Sequence, residues 1–277
     1  MFIENVPESY TTSNDVNKNL FIYDLKMTEA SIKTKVNLNM HMFSFLQVGK
    51  KQVHFPDSSV IVDNKQSLLV KKGNCLWSEL LDKENTYFCK LLFFSEQQLI
   101  EFLNKHVQKN ITVKKEPSYF IIENDAYIST YLNSLTSITN SSNKSIENLL
   151  VNKFEELLLY LQSKYQEQFE SYLFSLVNKE KKSFKHHIEQ NVYSSLSLEE
   201  IAFLCNMSLS TFKRHFAKEY GLSPGKWFRE QRLTKAKILL EEGKFKPSDI
   251  YLDLGYSNLQ NFSSAFKTRF GFSPSEV

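Results

Sequence analysis

Among the side chains that can hold a metal, attack an electrophile or move a proton, six histidines and three cysteines come first. His41 and His54 lie in a stretch of short apolar runs, where a metal site needs three or four histidine or carboxylate ligands converging. Neither belongs to a His-X-His pair or has a glutamate beside it, so both read as core or rim histidines. His186 and His187 read as capping or flanking a helix, and His215 as a solvated helix-surface residue or a contact to phosphate. Cys75, Cys89 and Cys205 are odd in number and lack metal-ligand spacing, and Cys75 and Cys89 read as buried thiols on strands. No glycine-rich phosphate loop or nucleophile elbow is present. The expectation is therefore no catalytic residue, no metal and no cofactor.

A second chemistry, hydrogen bonding from fixed donors and acceptors, is concentrated near the C-terminus. One segment carries Ser210, Thr211, Lys213 and Arg214, and a similar one carries Gln260, Asn261, Ser263, Ser264 and Lys267. The arginine guanidinium presents paired donors to the two acceptors of a guanine edge, and a carboxamide matches the donor–acceptor pair of an adenine edge. Lysines suit phosphate, which positions a protein on a duplex without reading sequence. Lys213 is read as meeting a base or a phosphate, Lys267 a phosphate, and Gln260 or Asn261 an adenine.

These residues are positioned by an internal repeat. Shifted by fifty positions, Leu209, Phe212, Phe216, Tyr220, Gly221, Ser223 and Pro224 coincide with Leu259, Phe262, Phe266, Phe270, Gly271, Ser273 and Pro274. Apolar steps of three, four and four define one helix face, leaving the polar residues opposite. Glycine ends each helix and proline prevents its continuation. A shorter helix precedes each copy. Ser197 caps Leu198–Leu204 with Glu200 completing a capping box, and Pro247 opens Ser248–Leu254. Short helix, tight turn and longer helix outline a helix-turn-helix, and the pattern occurs twice. Between the copies Pro224–Leu240 reads as one helix. Trp227, Phe228, Leu233, Ala236, Ile238 and Leu239 are assigned inward, and Lys226, Arg229, Arg232, Lys235 and Lys237 outward.

Upstream, Lys35 to Phe94 alternates short strands with turns, as in a small barrel or sandwich. The strands are placed at Asn39–Val48, Gln52–Phe55, Ser59–Asp63, Ser67–Val70 and Thr86–Phe94, with Gly49-Lys50-Lys51 and Lys72-Gly73-Asn74 as turns. Phe43, Phe45, Trp77, Tyr87 and Phe93 can line a pocket or fill it, and filling is favoured. Ser95 caps a helix to about His106, and an extended piece near Tyr119–Ile122 returns to the sheet. Helices follow over Asn124–Ile138, Ser145–Gln162 and Gln166–Val177, interrupted at Ser141-Ser142-Asn143. The apolar surface of the Leu149–Leu161 helix suggests a homodimer contact.

The fold class is α+β. Residues 1–177 form a β-rich domain with flanking helices, 178–183 a charged linker, and 184–277 an all-α domain with two helix-turn-helix units joined by a long helix. The 277 residues, 42% hydrophobic and 23% charged, suffice for two cores. Residues 1–182 carry 21 basic and 21 acidic side chains, and residues 183–277 carry 13 and 10, so 13 − 10 = +3 accounts for the whole net charge. No apolar run is long enough to cross a membrane, no signal peptide is seen at the N-terminus, and the cysteine usage suits a reduced, cytoplasmic compartment.

Residues Phe184 to Val277 resemble the DNA-binding domain of the AraC/XylS family of bacterial transcription regulators. The resemblance rests on Ile201-Ala202, Ser208-Leu209-Ser210, Phe212, Phe216, Gly221, Ser223-Pro224, Arg232, Ala236 and Leu239-Leu240. It continues through Ile250, Gly255-Tyr256-Ser257, Phe262, Ala265-Phe266-Lys267, Phe270-Gly271 and Ser273-Pro274. It implies duplex DNA as partner, read through two adjacent major-groove segments, and RNA polymerase recruited at a promoter, with repression as the alternative to activation. It also implies an N-terminal domain, often cupin-like, that senses a signal or pairs subunits; the effector stays unknown. Tyr251 stands where the first unit has Ala202, which would widen helix packing there. Ser264 stands where arginine is frequent, which would make the first unit dominate recognition. With Val277 three residues past Pro274, any terminal helix is absent or very short. Two other classes compete. An alkyl-transfer repair enzyme would need activated cysteines, of which residues 1–182 hold only Cys75 and Cys89. A cupin enzyme would need a ligand set not seen here.

Overall fold

The computed structural model describes residues 3–11, 19–107, 117–139, 146–177 and 183–277. It divides into two compact units, Met1–Lys181 and Lys182–Val277. Residues 178–182 of the expected 178–183 linker and the break at Ser141-Ser142-Asn143 lie outside the described residues, while Ser183 is the N-cap of the helix that follows.

The first unit begins with β1 (Ile3–Val6), β2 (Leu20–Met27), β3 (Ser31–Leu38), β4 (His41–Val48) and β5 (Lys50–His54). It continues with β6 (Ser59–Asp63), β7 (Gln66–Val70), β8 (Gly73–Leu80), β9 (Tyr87–Phe94), α1 (Glu96–His106), β10 (Tyr119–Glu123), α2 (Ala126–Thr139) and α3 (Ile146–Val177). One sheet has the order β1-β3-β8-β5-β6 and the other β10-β7-β4-β9-β2. The β1–β3 pair is parallel and the remaining pairs are antiparallel.

Successive residues of β4 point to opposite faces, as strand geometry requires. Met42 and Leu46 join Val36, Val53, Trp77, Tyr87, Cys89 and Phe93 in a core between the two sheets. Phe43 and Phe45 join Leu92, Phe94, Phe120 and the helices in a second core on the outer face of that sheet. The second sheet is therefore buried on both faces, which explains the near-continuous apolar sequence of β9. The five aromatics assigned to one interior are fully buried but divide between these two cores.

Several strand boundaries differ from the sequence reading. The sequence reading contains no counterpart of β1, β2 or β3, marks β8 only through the strand position of Cys75, and includes Asn39, which lies outside β4. Of Gly49-Lys50-Lys51 only Gly49 is a connection; Lys50 and Lys51 pair within β5. Lys51 Nζ meets Glu79 Oε1 at 2.9 Å with both side chains buried, and lies 4.1 Å from the Trp77 ring centre. A strand can hide a lysine when its neighbour supplies the carboxylate, and local sequence does not show that neighbour.

The helical layer follows the reading more closely. Ser95 Oγ accepts the Gln98 N–H at the start of α1. α3 is two helices joined at Gln166, whose φ of 50° breaks the helical path. Leu150, Phe154, Leu157, Leu158 and Leu161 are consumed by the chain's own core, leaving Leu149 and Leu159 exposed. Most of the surplus apolar surface that suggested a dimer contact is thus accounted for within one chain.

The second unit contains α4 (Phe184–Gln190), α5 (Leu198–Leu204), α6 (Leu209–Tyr220), α7 (Pro224–Glu241), α8 (Pro247–Ile250) and α9 (Leu259–Phe270), with a 3-10 turn over Pro274–Glu276. The long α7, roughly 27 Å at the helical rise, serves both halves. Its early residues Trp227 and Phe228 meet Phe216. Its later residues Leu233, Ala236 and Leu240 join Ile250, Leu254, Phe262 and Phe266 in the second core. The 3,4 spacing of Leu233, Ala236 and Leu240 turns Ile238 outward, 46% exposed, against the inward assignment.

Candidate nucleic-acid interface

Each recognition helix is anchored by two phenylalanines at zero exposure, Phe212 and Phe216 in α6, and Phe262 and Phe266 in α9. Similar aromatic clusters hold both. Phe216 stacks on Tyr220 at 4.4 Å, and Phe266 lies 4.6 Å from Phe270. Ser208 Oγ accepts the Thr211 N–H to start α6, and Asn258 Oδ1 accepts the Asn261 N–H to start α9. Gly221 and Gly271 end the helices at φ of 69° and 86°, a conformation glycine adopts without a side-chain clash.

The turns before the recognition helices close by the same bonds. Asn206 N and Met207 N donate to Phe203 O and Ala202 O; Gly255 N and Tyr256 N donate to Leu252 O and Tyr251 O. This matches Ala202 with Tyr251, the equivalence drawn from sequence. The second turn is one residue longer before its cap, having Tyr256 and Ser257 where the first has Met207 alone. Tyr251 is half-buried on the second core, whereas Ala202 is fully buried. Regular helix ends at Ile250, earlier than the expected Leu254, although Leu254 N still donates to Ile250 O.

With the aromatic face fixed inward, the opposite face is set. Ser210, Lys213 and Arg214 are exposed on α6, and among the described residues no ion-pair or hydrogen-bond partner engages Lys213 or Arg214. Thr211 is half-buried, and its hydroxyl accepts from Ser208 Oγ at 3.0 Å, so it belongs to the helix cap. On α9, Gln260, Asn261, Ser264 and Lys267 are exposed and Ser263 is half-buried. His215 meets neither solvent alone nor an open face: its ring packs edge-on against Phe184 at 4.4 Å. Ser183, rather than either histidine, caps α4, while His186 and His187 lie inside it.

The largest departure from the sequence reading is Arg232. Assigned outward with its basic neighbours on α7, it is turned inward. Nε donates to Val192 O at 2.7 Å, Nη2 to Ser194 O at 2.7 Å, and Nη1 to Gly255 O at 3.2 Å. A helical wheel cannot show this, because the three carbonyls lie on loops 23 to 40 residues away in sequence.

The residues considered for chemistry are placed differently. Cys75 and Cys89 are buried in the inter-sheet core, and burial pushes the Cys75 thiol up to about 12 and raises that of Cys89. His41 is buried with Nδ1 accepting the Lys72 N–H, and burial, then Lys72 and Lys71, lower its pKa to about 3. Among the described residues no three histidine, cysteine or carboxylate side chains gather to hold a metal ion. Nor is any described helix long and apolar enough to cross a membrane.

A two-sheet sandwich backed by helices, followed by a duplicated helix-turn-helix on a shared helix, defines a two-domain helix-turn-helix protein. Comparison with known proteins agrees in both parts. Residues 41–172 match the family described as the ExsA N-terminal regulatory domain, and residues 201–277 match a helix-turn-helix domain family. The two matches together describe a chain in which an ExsA-type N-terminal regulatory domain precedes an AraC-type helix-turn-helix domain, in agreement with the resemblance seen in the sequence. It is similar to the virulence regulon transcriptional activator VirF of Yersinia enterocolitica, 35% identical over 126 residues, 45% of this chain and 46% of that protein. It is also similar to the HTH-type transcriptional regulator ExsA of Pseudomonas aeruginosa, 32% identical over 124 residues, 44% of this chain and 45% of that protein. The aligned stretches thus span about half the length of these relatives. A solved structure of ToxT from Vibrio cholerae aligns over 94% of this chain and 97% of that one, at 14% identity and a TM-score of 0.41.

Proposed function

We propose that this protein is a sequence-specific DNA-binding transcription regulator that activates its promoters, with no enzymatic activity of its own. The observation that carries the reading is the pairing of two like-built recognition helices, each with an aromatic face fixed inward and a polar face left in solvent, on one connecting helix. Each helix enters one of two successive major-groove segments. Arg214 grips a guanine edge, Ser210 and Lys213 support it, and Gln260 or Asn261 reads an adenine edge. Lys267 neutralises phosphate, while Thr211 acts through the cap and Ser263 and Ser264 make short contacts. Because Ser264 replaces the long cation of the first unit with a short hydroxyl, the first unit dominates the reading.

In this reading the protein works in the cytoplasm, beside its DNA partner and where the buried thiols stay reduced. Bound beside a promoter, it recruits RNA polymerase. The N-terminal unit receives the regulatory signal, and a second copy meets it at the exposed Leu149 and Leu159 of α3. Selection of bound sequences from random duplex DNA tests the central reading. The expected result is a two-part motif with its halves about one helical turn, roughly 10 base pairs, apart. Binding that is salt-sensitive and indifferent to sequence contradicts it.

A further inference from the structure

We infer that Arg232 sets the spacing between the two half-sites, acting as a positioning residue that holds the two helix-turn-helix units in one relative orientation. The inference rests on the paired reading above and identifies what fixes the pair.

The three acceptors come from different parts of the second unit. Val192 and Ser194 lie on the loop between α4 and α5, which belongs to the first half. Gly255 is the left-handed residue of the turn that leads from α8 to the second recognition helix, one turn ahead of α9. Arg232 lies on α7 where its contacts pass from the first core to the second, after Phe228 and before Leu233. One planar cation therefore joins the first half, the connecting helix and the second half. A guanidinium can reach three carbonyls in fixed directions at once; a lysine ammonium is a compact donor on a flexible stem and does not span them.

Gly255 shows how closely this junction is fitted. A Cβ there would lie 2.7 Å from Arg232 Nη1, 2.8 Å from its Cζ and 3.0 Å from Ser194 O. Its φ of 76° also strains any other residue. The glycine gives the guanidinium room as well as turning the chain. The second turn carries an extra residue over the first, so local turn geometry alone does not make the two units equivalent in placement. The arginine bonds fix the second turn directly to the first half.

Spacing is sensitive to such a contact. Adding one base pair rotates the second half-site by roughly 35° about the duplex as well as moving it along the axis. A rigid pair of readers tolerates one spacing, and the gain from binding both halves, which can reach about 100-fold or more, disappears when geometry forbids simultaneous engagement.

The test uses the full-length chain with Arg232→Lys and, separately, Gly255→Ala, which displaces the guanidinium without replacing it. Each protein is titrated on the selected two-part site, on that site with one base pair added or removed, and on single half-sites. The wild type is expected to prefer one spacing. Both variants should bind the single half-sites as the wild type does, lose about tenfold or more on the preferred spacing, and discriminate little among the three spacings. Unchanged spacing preference in both variants overturns the inference while leaving paired reading intact. Loss of half-site binding in step with loss of the two-part site also overturns it, because the arginine then only stabilises the fold. A wild type with no two-part site removes the paired reading itself, and the inference with it.

Discussion

Replacing Arg214 with alanine separates base reading from charge. The side chain is exposed on α6, opposite Phe212 and Phe216, and among the described residues nothing holds it, so its loss should alter folding stability by no more than about 0.5 kcal/mol. A bidentate contact to a base carries roughly 1–3 kcal/mol of discrimination. At about 1.4 kcal/mol per tenfold, affinity for the preferred site should fall about 5- to 150-fold. Affinity for a site altered at that base should hardly change. Lys213→Ala supplies the contrast: removing a phosphate contact weakens all sequences alike and reduces the salt slope by about 0.9. Fluorescence anisotropy over a range of salt concentrations, on the selected site and on single-base variants of it, measures both quantities. If Arg214→Ala weakens every sequence equally and lowers the salt slope, Arg214 is a phosphate contact and the register assigned to α6 is wrong.

Three further perturbations test other parts of the account. Glu79→Gln leaves Lys51 buried without its counter-charge and should cost the N-terminal unit about 3–5 kcal/mol, much of it recovered in Lys51→Met/Glu79→Leu; urea unfolding of the three proteins decides this, and a loss within experimental error in Glu79→Gln refutes it. His41 is neutral in the folded chain down to about pH 3 but protonates from its ordinary 6.5 when unfolded. The unfolded state therefore binds more protons between these values, so the stability this residue contributes is full above pH 6.5 and is lost progressively as pH falls toward 3. His41→Gln should flatten the stability profile in that window, and an unaltered profile denies it. Ser264→Arg should add a base preference to the second half-site worth roughly 1–3 kcal/mol, read by repeating the selection; no new preference would show that Ser264 does not face a base.

Much of the second unit was legible because its sequence repeats. Phe212 with Phe262, and Phe216 with Phe266, mark the same face twice, and caps, glycines and prolines bound the same segment. Each copy checks the other. Where information was not local, the reading failed. Lys50 and Lys51 resemble a turn until β8 brings Glu79 opposite Lys51. β3 carries lysines and an irregular start between Ser31 and Thr34, so its alternation is blurred, and its register is set by β8 some forty residues later. The two cores of the first unit were merged because alternation along β4 tells faces apart without saying what covers each. Arg232 shared its polar face with solvated neighbours, and only the arrival of two distant loops distinguishes it. The polar face of α6 was readable as a face, but the capping role of Thr211 depends on the Ser208 hydroxyl geometry.

Paired major-groove binding is read out by hydroxyl-radical and methylation-protection footprinting of the full-length protein on its selected site. Two protected major-groove segments are expected about one turn apart on the same face of the duplex, the stronger under the first unit. A single protected segment, or uniform protection that follows salt but not sequence, would contradict it.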